Sequence, residues 1–441
     1  MSEQDNTGNP ELGAFWMPFT ANQQFKAEPR MLVSAKDMHY QSADGRAILD
    51  GTAGLWCCNA GHGREQISAA VSQQIQQLDY APTFQMGHPL PFELAQRLTE
   101  FSPEGLDHVF FTNSGSESVD TALKIALAYH RARGKAGKTR LIGREKGYHG
   151  TGFGGISVGG LVNNRRSFGS LLTGVDHLKH AWVAGSEFSK GQPEQGGDLA
   201  NELEQIVQLH GAETIAAVIV EPVVGSGGVW IPPQRYLQRL RDIATAHDIL
   251  LIFDEVITGY GRIGEPFAAH RFGVTPDIMT TAKGLTNGAI PMGAVFVHSD
   301  LHEAFMQGPA DVIDFFHGYT YSGHPVAAAA ALATLDIYQQ ENLFQKAIDL
   351  EDYWANALHS LAEFEVVKDI RNIGLMGAIE FTPGHKAGQR GYDVFQHCFW
   401  QGNALVRCTG DTIALSPPLI VQPEHIDQLM EALRCAIKSL Q

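Results

Sequence analysis

Residues 249–288 decide the fold that we predict for this chain, and they read ILLIFDEVITGYGRIGEPFAAHRFGVTPDIMTTAKGLTNG. The segment opens with the apolar run Ile249–Phe253, which has the length of a strand buried on both faces of a sheet. Asp254 follows directly, and the carboxyl ends of strands are where open α/β sheets bind ligands. The residues between Asp254 and Lys283 leave room for a helix and a return to the same crevice. We therefore predict that this carboxylate and this lysine meet in one site.

Asp254 and Lys283 suit a particular cofactor. A lysine among small and apolar neighbours loses its charge at moderate cost and becomes an amine nucleophile for a carbonyl. A carboxylate at a strand end is placed to hold a protonated ring nitrogen. One lysine for a Schiff base and one carboxylate for a pyridinium are a protein's main contributions to a pyridoxal phosphate (PLP) site. Lys283 and Asp254 are our predicted catalytic residues, with PLP as the cofactor.

A second stretch has the pattern of an anion-binding turn. The probable strand Val109–Phe111 runs into a small-residue turn, and Ser114 with Glu117 three positions later forms a capping-box pattern. The helix that starts here directs its free N–H groups and its dipole at the turn. Ser114, Gly115 and Ser116 are therefore candidates for holding the cofactor phosphate.

Three motifs resemble those of a known family. Asp254-Glu255-Val256, the segment that ends in Lys283-Gly284, and residues 317–325 (HGYTYSGHP) resemble the signature of class III PLP-dependent aminotransferases. The similarity extends from Phe15 to Leu419, and within the family it is greatest to the ω-amino acid:pyruvate (β-alanine:pyruvate) enzymes. The resemblance implies an α/β fold of PLP-transferase type I, like that of aspartate aminotransferase. A large domain with a mostly parallel central sheet is then expected beside a smaller α+β domain.

The resemblance also assigns roles around the cofactor. Tyr148 is expected to stack on one face of the pyridine ring and Val256 to pack on the other. His149 orders the site or hydrogen-bonds the glycine-rich loop that follows it. Glu221, at a strand end, orders a loop or pairs a nearby cation. Thr320 is expected to reach the phosphate of the neighbouring subunit, so that a homodimer or homotetramer shares its active sites between chains.

Five residues are predicted to contact the substrate: Leu55, Trp56, Phe84, Tyr148 and Arg407. Trp56 lies in the glycine-punctuated stretch 51–63, which favours a pocket wall over a place in the core. Arg407 offers a planar fork that fits a carboxylate through two hydrogen bonds. An arginine at a strand end more often pairs with an acidic residue, but the family places its carboxylate-binding arginine at this point.

Composition limits the remaining possibilities. The chain has 441 residues, for which we predict an N-terminal arm with part of the small domain at 1–70, a large PLP-binding domain at 71–328 and a C-terminal small domain at 329–441. A formal net charge of −16 argues against nucleic acid as a partner. Five cysteines without metal-site spacing, no signal peptide and no apolar run of membrane length indicate a reduced cytoplasmic protein without a metal.

These observations predict transamination of a β-alanine-like ω-amino acid or amine with pyruvate, which gives an aldehyde (malonate semialdehyde) and L-alanine. Taurine and carboxylate-free amines remain alternative donors, and a class III decarboxylase or aminomutase uses the same lysine and aspartate. A dinucleotide-dependent oxidoreductase fits less well, because residues 152–155 and 225–228 lack the G-x-G-x-x-G spacing and Lys283 has no role in that chemistry.

Overall fold

The computed structural model describes residues 12–440, so residues 1–11 of the expected N-terminal arm lie outside it. The strands are β1 (Leu32–Lys36), β2 (His39–Ser42), β3 (Ala47–Asp50), β4 (His108–Thr112), β5 (Arg140–Arg144), β6 (Val175–Leu178), β7 (Ile215–Val220), β8 (Leu250–Asp254), β9 (Ile278–Thr281), β10 (Gly293–Val297), β11 (Val367–Ile373), β12 (Met376–Phe381), β13 (Ala404–Leu405), β14 (Arg407–Thr409) and β15 (Thr412–Leu415).

The α-helices are α1 (Asn22–Ala27), α2 (Ala53–Trp56), α3 (Glu65–Gln77), α4 (Pro89–Thr99), α5 (Gly115–Ala132), α6 (Phe153–Val158), α7 (Val162–Arg165), α8 (Glu202–His210), α9 (Tyr236–Ala246), α10 (Ala268–Phe272), α11 (Ser299–Phe305), α12 (Pro325–Gln340), α13 (Leu343–His359), α14 (Gln389–Trp400) and α15 (Pro423–Lys438). Short 3₁₀ turns lie at Gly197–Asn201, Ala212–Thr214, Lys283–Thr286 and Ser360–Glu363.

A seven-stranded sheet forms the centre of the molecule, in the order β4-β10-β9-β8-β7-β5-β6. All of its strands are parallel except β10, which runs antiparallel to both of its neighbours. Alternate residues of β8 face opposite layers: Leu250 and Ile252 pack with the helix α5 side, and Leu251 and Phe253 pack with the opposite core. Burial on both faces explains why this strand is apolar at every position.

Two four-stranded sheets complete the architecture, in the orders β1-β2-β3-β13 and β11-β12-β15-β14. The first of these sheets brings an N-terminal segment and a C-terminal segment together, because β13 pairs in parallel with β3. Residues 39–50 form a hairpin in this sheet as β2 and β3, with Gly45 in a left-handed conformation in the turn. The architecture is α/β, as the sequence predicts. No helix within residues 12–440 has both the length and the apolar composition needed to cross a bilayer.

Candidate active site

The carboxyl ends of the parallel strands meet at one cavity. Glu221 follows β7, Asp254 ends β8, and Lys283 lies just beyond β9. Because these three strands are parallel neighbours, their ends lie at the same edge of the sheet. A cavity of about 270 Å³ opens there, and we call it the inner cavity. Eight of the predicted residues line it: Ser114, Gly115, Ser116, Tyr148, Glu221, Asp254, Val256 and Lys283.

Lys283 begins the short 3₁₀ turn that follows β9 and is half-buried. Its backbone has φ of 45°, a left-handed conformation that is uncommon outside glycine and is often found at functional sites. Burial lowers the pKa of its ammonium group, while the charge of Asp254 acts in the opposite direction. A lowered pKa increases the fraction of neutral amine, which is the form that attacks a carbonyl.

Asp254 is held in place from two sides. Its Oδ2 lies 2.8 Å from Nδ1 of His149, and its Oδ1 accepts from the backbone N–H of Val256 and the hydroxyl of Thr280, each at 3.2 Å. The side chain is only 5% exposed, and His149 behind it is 1% exposed. His149 therefore contacts Asp254, an arrangement that agrees with the site-ordering role among the two expected from the sequence.

The predicted anion turn has the expected geometry. Ser114 is the N-cap of α5, and its hydroxyl accepts from the backbone N–H of Glu117 at 3.2 Å. The Glu117 carboxylate accepts in return from the N–H of Asn113, one residue before the cap, at 2.7 Å. A Cβ atom on Gly115 would lie 2.9 Å from the Val256 side chain, so a larger residue here would have to displace Val256. The first N–H groups of α5 lack helical acceptors and suit a phosphate.

Glu221 organises the loops beside the cavity. Its two carboxylate oxygens accept from the backbone N–H groups of Tyr148 at 2.8 Å and of Gly225 at 2.9 Å. The side chain is 3% exposed, and this burial raises the pKa of its carboxyl group to about 7. The contacts support the loop-ordering role, because both hydrogen bonds fix the backbone of residues that flank the site.

Replacing Glu221 with glutamine is expected to change the pH dependence of stability. The carboxyl pKa is about 7 in the folded protein against 4.5 ordinarily, so ionisation at rising pH favours the unfolded chain. Between about pH 5 and pH 8 the free energy of unfolding of the parent protein should fall by up to about 3 kcal/mol relative to that of Glu221→Gln. Melting temperatures of both holoenzymes measure this difference, with the exposed Glu213→Gln as the control. If the difference in melting temperature between the parent protein and Glu221→Gln stayed constant with pH, the expectation would be contradicted.

A larger cavity of about 730 Å³ adjoins the first, and we call it the outer cavity. Gly288 lines both cavities, and Leu55 and Arg407 line the outer one. Burial lowers the pKa of the half-buried Arg407 guanidinium. Within residues 12–440 its Nε has no hydrogen-bond partner, and no carboxylate forms a salt bridge with it. Arg407 is thus a half-buried cation without an acidic partner among the described residues, unlike most arginines at strand ends.

The structure places three predicted residues elsewhere. Trp56 is 2% exposed, packs in a core cluster with Val223, Ile257 and Ala414, and lines neither of the two cavities, whereas the sequence predicts a pocket wall. Its backbone φ of 64° turns the side chain inward, although Leu55 beside it stays 62% exposed.

Phe84 and Thr320 lie outside both cavities. Phe84 is 59% exposed and lines a separate cavity of about 290 Å³ with Phe92 and Gly318. Thr320 is exposed in the same region, where its carbonyl accepts from the Tyr80 hydroxyl at 3.1 Å. Neither residue reaches the inner cavity of its own chain.

Sequence reasoning missed several residues that line the cavities. The loop after Lys283 supplies Thr286, Ile290, Pro291 and Met292 to the inner cavity. The position of this loop between Lys283 and the next strand was the sequence signal that could have predicted its place in the cavity wall. Tyr392 and Phe395, from α14, line the outer cavity, and only the tertiary fold brings them there.

The residues present fit PLP by their own geometry. The inner cavity combines a lysine of lowered pKa, a buried carboxylate and a helix N-terminus at which Gly115 packs closely against Val256. Together with the mostly parallel sheet, this combination defines a PLP-dependent enzyme of fold type I.

Comparison with known proteins identifies the family. The model of the family Aminotransferase class-III matches residues 20–437, and the chain belongs to this family. It is 60% identical to an omega-aminotransferase of Caulobacter vibrioides, over 97% of this chain and 98% of that protein. It is 48% identical to the beta-alanine–pyruvate aminotransferase of Pseudomonas aeruginosa, over 97% and 96%.

A solved structure agrees with this assignment. An amine transaminase from an uncultivated Pseudomonas species, in its PLP-bound form, has a TM-score of 0.92 and 37% identity, covering 97% of this chain and 99% of that chain. The protein is an aminotransferase with PLP as its cofactor, as the sequence predicts.

Proposed function

We propose that this aminotransferase transfers the amino group of β-alanine or a similar ω-amino acid to pyruvate, which gives malonate semialdehyde and L-alanine. The observation that carries the proposal is Arg407. Its guanidinium lines the outer cavity without an acidic partner among the described residues, beside the inner cavity that contains Lys283. Both β-alanine and pyruvate carry a carboxylate, which a guanidinium binds through two parallel hydrogen bonds.

The residues of the inner cavity divide the chemistry between them. Lys283 Nζ would attach the cofactor and, as a neutral amine, would move the proton from the amine-bearing carbon of the donor. Asp254 would keep the proton on the ring nitrogen, and Tyr148 and Val256, which line the same cavity, would hold the ring. The N-terminus of α5 would hold the phosphate. When bound, PLP supplies an electron sink that stabilises negative charge on the donor carbon.

We propose that a second copy of the chain completes each site. Phe84 and Thr320 are exposed near one another and lie outside both cavities of their own chain. Apolar side chains are exposed in the same region, among them Met86 at 69% and Phe316 at 91%. A subunit interface there would bury these side chains and bring Phe84 to the substrate and Thr320 to the phosphate of the partner. The family resemblance supports a homodimer or a homotetramer.

Replacing Arg407 with glutamine is expected to raise KM for pyruvate and for β-alanine by about 10- to 100-fold, the loss of one charge-assisted interaction. Steady-state kinetics with each substrate varied in turn measure the effect. Arg30→Gln is the matched control, because Arg30 lines the same cavity but donates to Gln24 and Gln396. Unchanged KM values in Arg407→Gln, together with raised KM values in Arg30→Gln, would contradict the proposal and show that Arg30 binds the substrate carboxylate.

A carboxylate-free amine is the second candidate donor. The amine transaminase named above is similar in fold, and the outer cavity has apolar walls that include Leu55, Phe395 and Val406. With such a donor, Arg407→Gln should impair only the pyruvate half-reaction, so the same variant separates the two donors. A cytoplasmic location completes the proposal, because all five cysteines are free thiols.

A further inference from the structure

Two adjacent thiols lie at the junction of the cavities. Cys57 and Cys58 are both half-buried, both line the outer cavity, and their sulfur atoms are 3.8 Å apart. A Cβ atom on Gly288 would lie 3.0 Å from Sγ of Cys57 and 3.3 Å from Sγ of Cys58. Because Gly288 lines both cavities, the thiols stand beside the route from the outer cavity to Lys283.

The geometry disfavours a direct disulfide between the two residues. A disulfide requires sulfurs about 2.05 Å apart and Cα atoms usually about 4.4–6.8 Å apart. Consecutive Cα atoms are only about 3.8 Å apart across a trans peptide, and the structure contains no cis peptide among the described residues. A single atom bonded to both sulfurs is compatible with the observed separation.

The side chains near the two thiols limit which atom can bond to both sulfurs. Structural zinc takes four protein ligands, and no group of three or more His, Cys, Asp or Glu side chains suited to a metal occurs within residues 12–440. A thiophilic centre that needs only two thiols fits better. Trivalent arsenic with one organic substituent has two exchangeable positions and forms stable chelates with neighbouring thiols.

We propose that Cys57 and Cys58 form a chelating site for monosubstituted trivalent arsenicals, and that the bound arsenical blocks access from the outer cavity to Lys283. An arsenoxide R–As=O condenses with the two thiols: both S–H bonds break, two As–S bonds form, and the oxygen leaves as water. Arsenic stays trivalent, so no oxidant or reductant takes part. The blocking of catalysis rests on the proposed use of the outer cavity by the substrate, whereas the binding does not.

The electrostatics favour reaction at Cys57. The hydrogen bond with the Cys58 thiol lowers the pKa of Cys57, and the charge of Lys283 acts in the same direction. The thiolate is the reactive form of cysteine. Attack by Cys57 followed by ring closure at Cys58 is therefore the expected order.

Phenylarsine oxide added to the holoenzyme at one equivalent tests the site, with intact mass as the readout. The parent protein should gain a single adduct, which a dithiol removes and a monothiol at the same thiol concentration does not. Cys57→Ser and Cys58→Ser should each lose the adduct. Cys435→Ser, at an exposed cysteine, and Cys408→Ser, in the outer cavity, should keep it.

An adduct that survives in both Cys57→Ser and Cys58→Ser, or one lost in Cys408→Ser, would overturn the assignment. The assignment would also be overturned if a monothiol removed the adduct from the parent protein as readily as a dithiol does. This comparison needs no variant. Inhibition is measured separately, as the rate of each protein with arsenical divided by its own rate without it. An adduct without loss of rate, in an enzyme that turns over its donor, would overturn the blocking of the cavity alone.

Discussion

Replacing Lys283 with alanine is expected to lower turnover by more than about 10⁴-fold, because proton transfer by a positioned side chain contributes up to about that factor and covalent attachment of the cofactor is lost as well. The variant should still bind PLP, since Asp254 and the N-terminus of α5 are unchanged. Steady-state turnover and intact mass after borohydride reduction measure the two effects. The reduced parent protein should carry the mass of the cofactor, and the variant should not.

Lys179→Ala is the matched control for this substitution. The Lys179 side chain is 77% exposed and lies outside the two cavities, so its loss should leave both turnover and cofactor attachment unchanged. If Lys283→Ala retained normal turnover, or if reduction still fixed the cofactor to it, another group would have to supply the amine.

The second large effect is expected for Asp254→Asn. Asparagine keeps the size of the side chain and the acceptor that faces Val256 and Thr280, but its neutral amide does not hold positive charge on the ring nitrogen. Removal of one preorganised electrostatic group costs about 10²–10³-fold in kcat. Single-turnover rates with the donor measure this loss directly, because they isolate the half-reaction in which the donor carbon loses its proton.

The exposed Asp242 provides the comparison, since Asp242→Asn removes the same charge far from the cavities. Its rate should equal that of the parent enzyme. A rate for Asp254→Asn within about tenfold of the parent would show that the carboxylate serves mainly to order His149, and not to hold the ring proton.

The sequence predicts the inner cavity well because its residues follow strands with simple local signals. The apolar run of β8 ends at Asp254, as the structure has it, and the capping pattern at Ser114 marks the start of α5. Parallel pairing then brings the ends of such strands together without further information.

Residues set by tertiary packing were predicted less well. Trp56 lies in a glycine-rich stretch that suggests a pocket, but a left-handed backbone at this residue sends the indole into the core. Strand β11 gains its partner only when β12 folds back onto it, and this pairing has no local sequence signal. Phe84 and Thr320 cannot be placed from one chain, since each is exposed on its own subunit.

The visible spectrum of the holoenzyme during addition of β-alanine and then pyruvate tests the central claim most directly. The band of the Lys283-bound cofactor should bleach with β-alanine, as the cofactor takes up the amino group, and return with pyruvate. Both changes together would demonstrate the two half-reactions that we propose. A band that β-alanine leaves unchanged, while a carboxylate-free amine bleaches it, would contradict the proposed donor and leave the fold and cofactor intact.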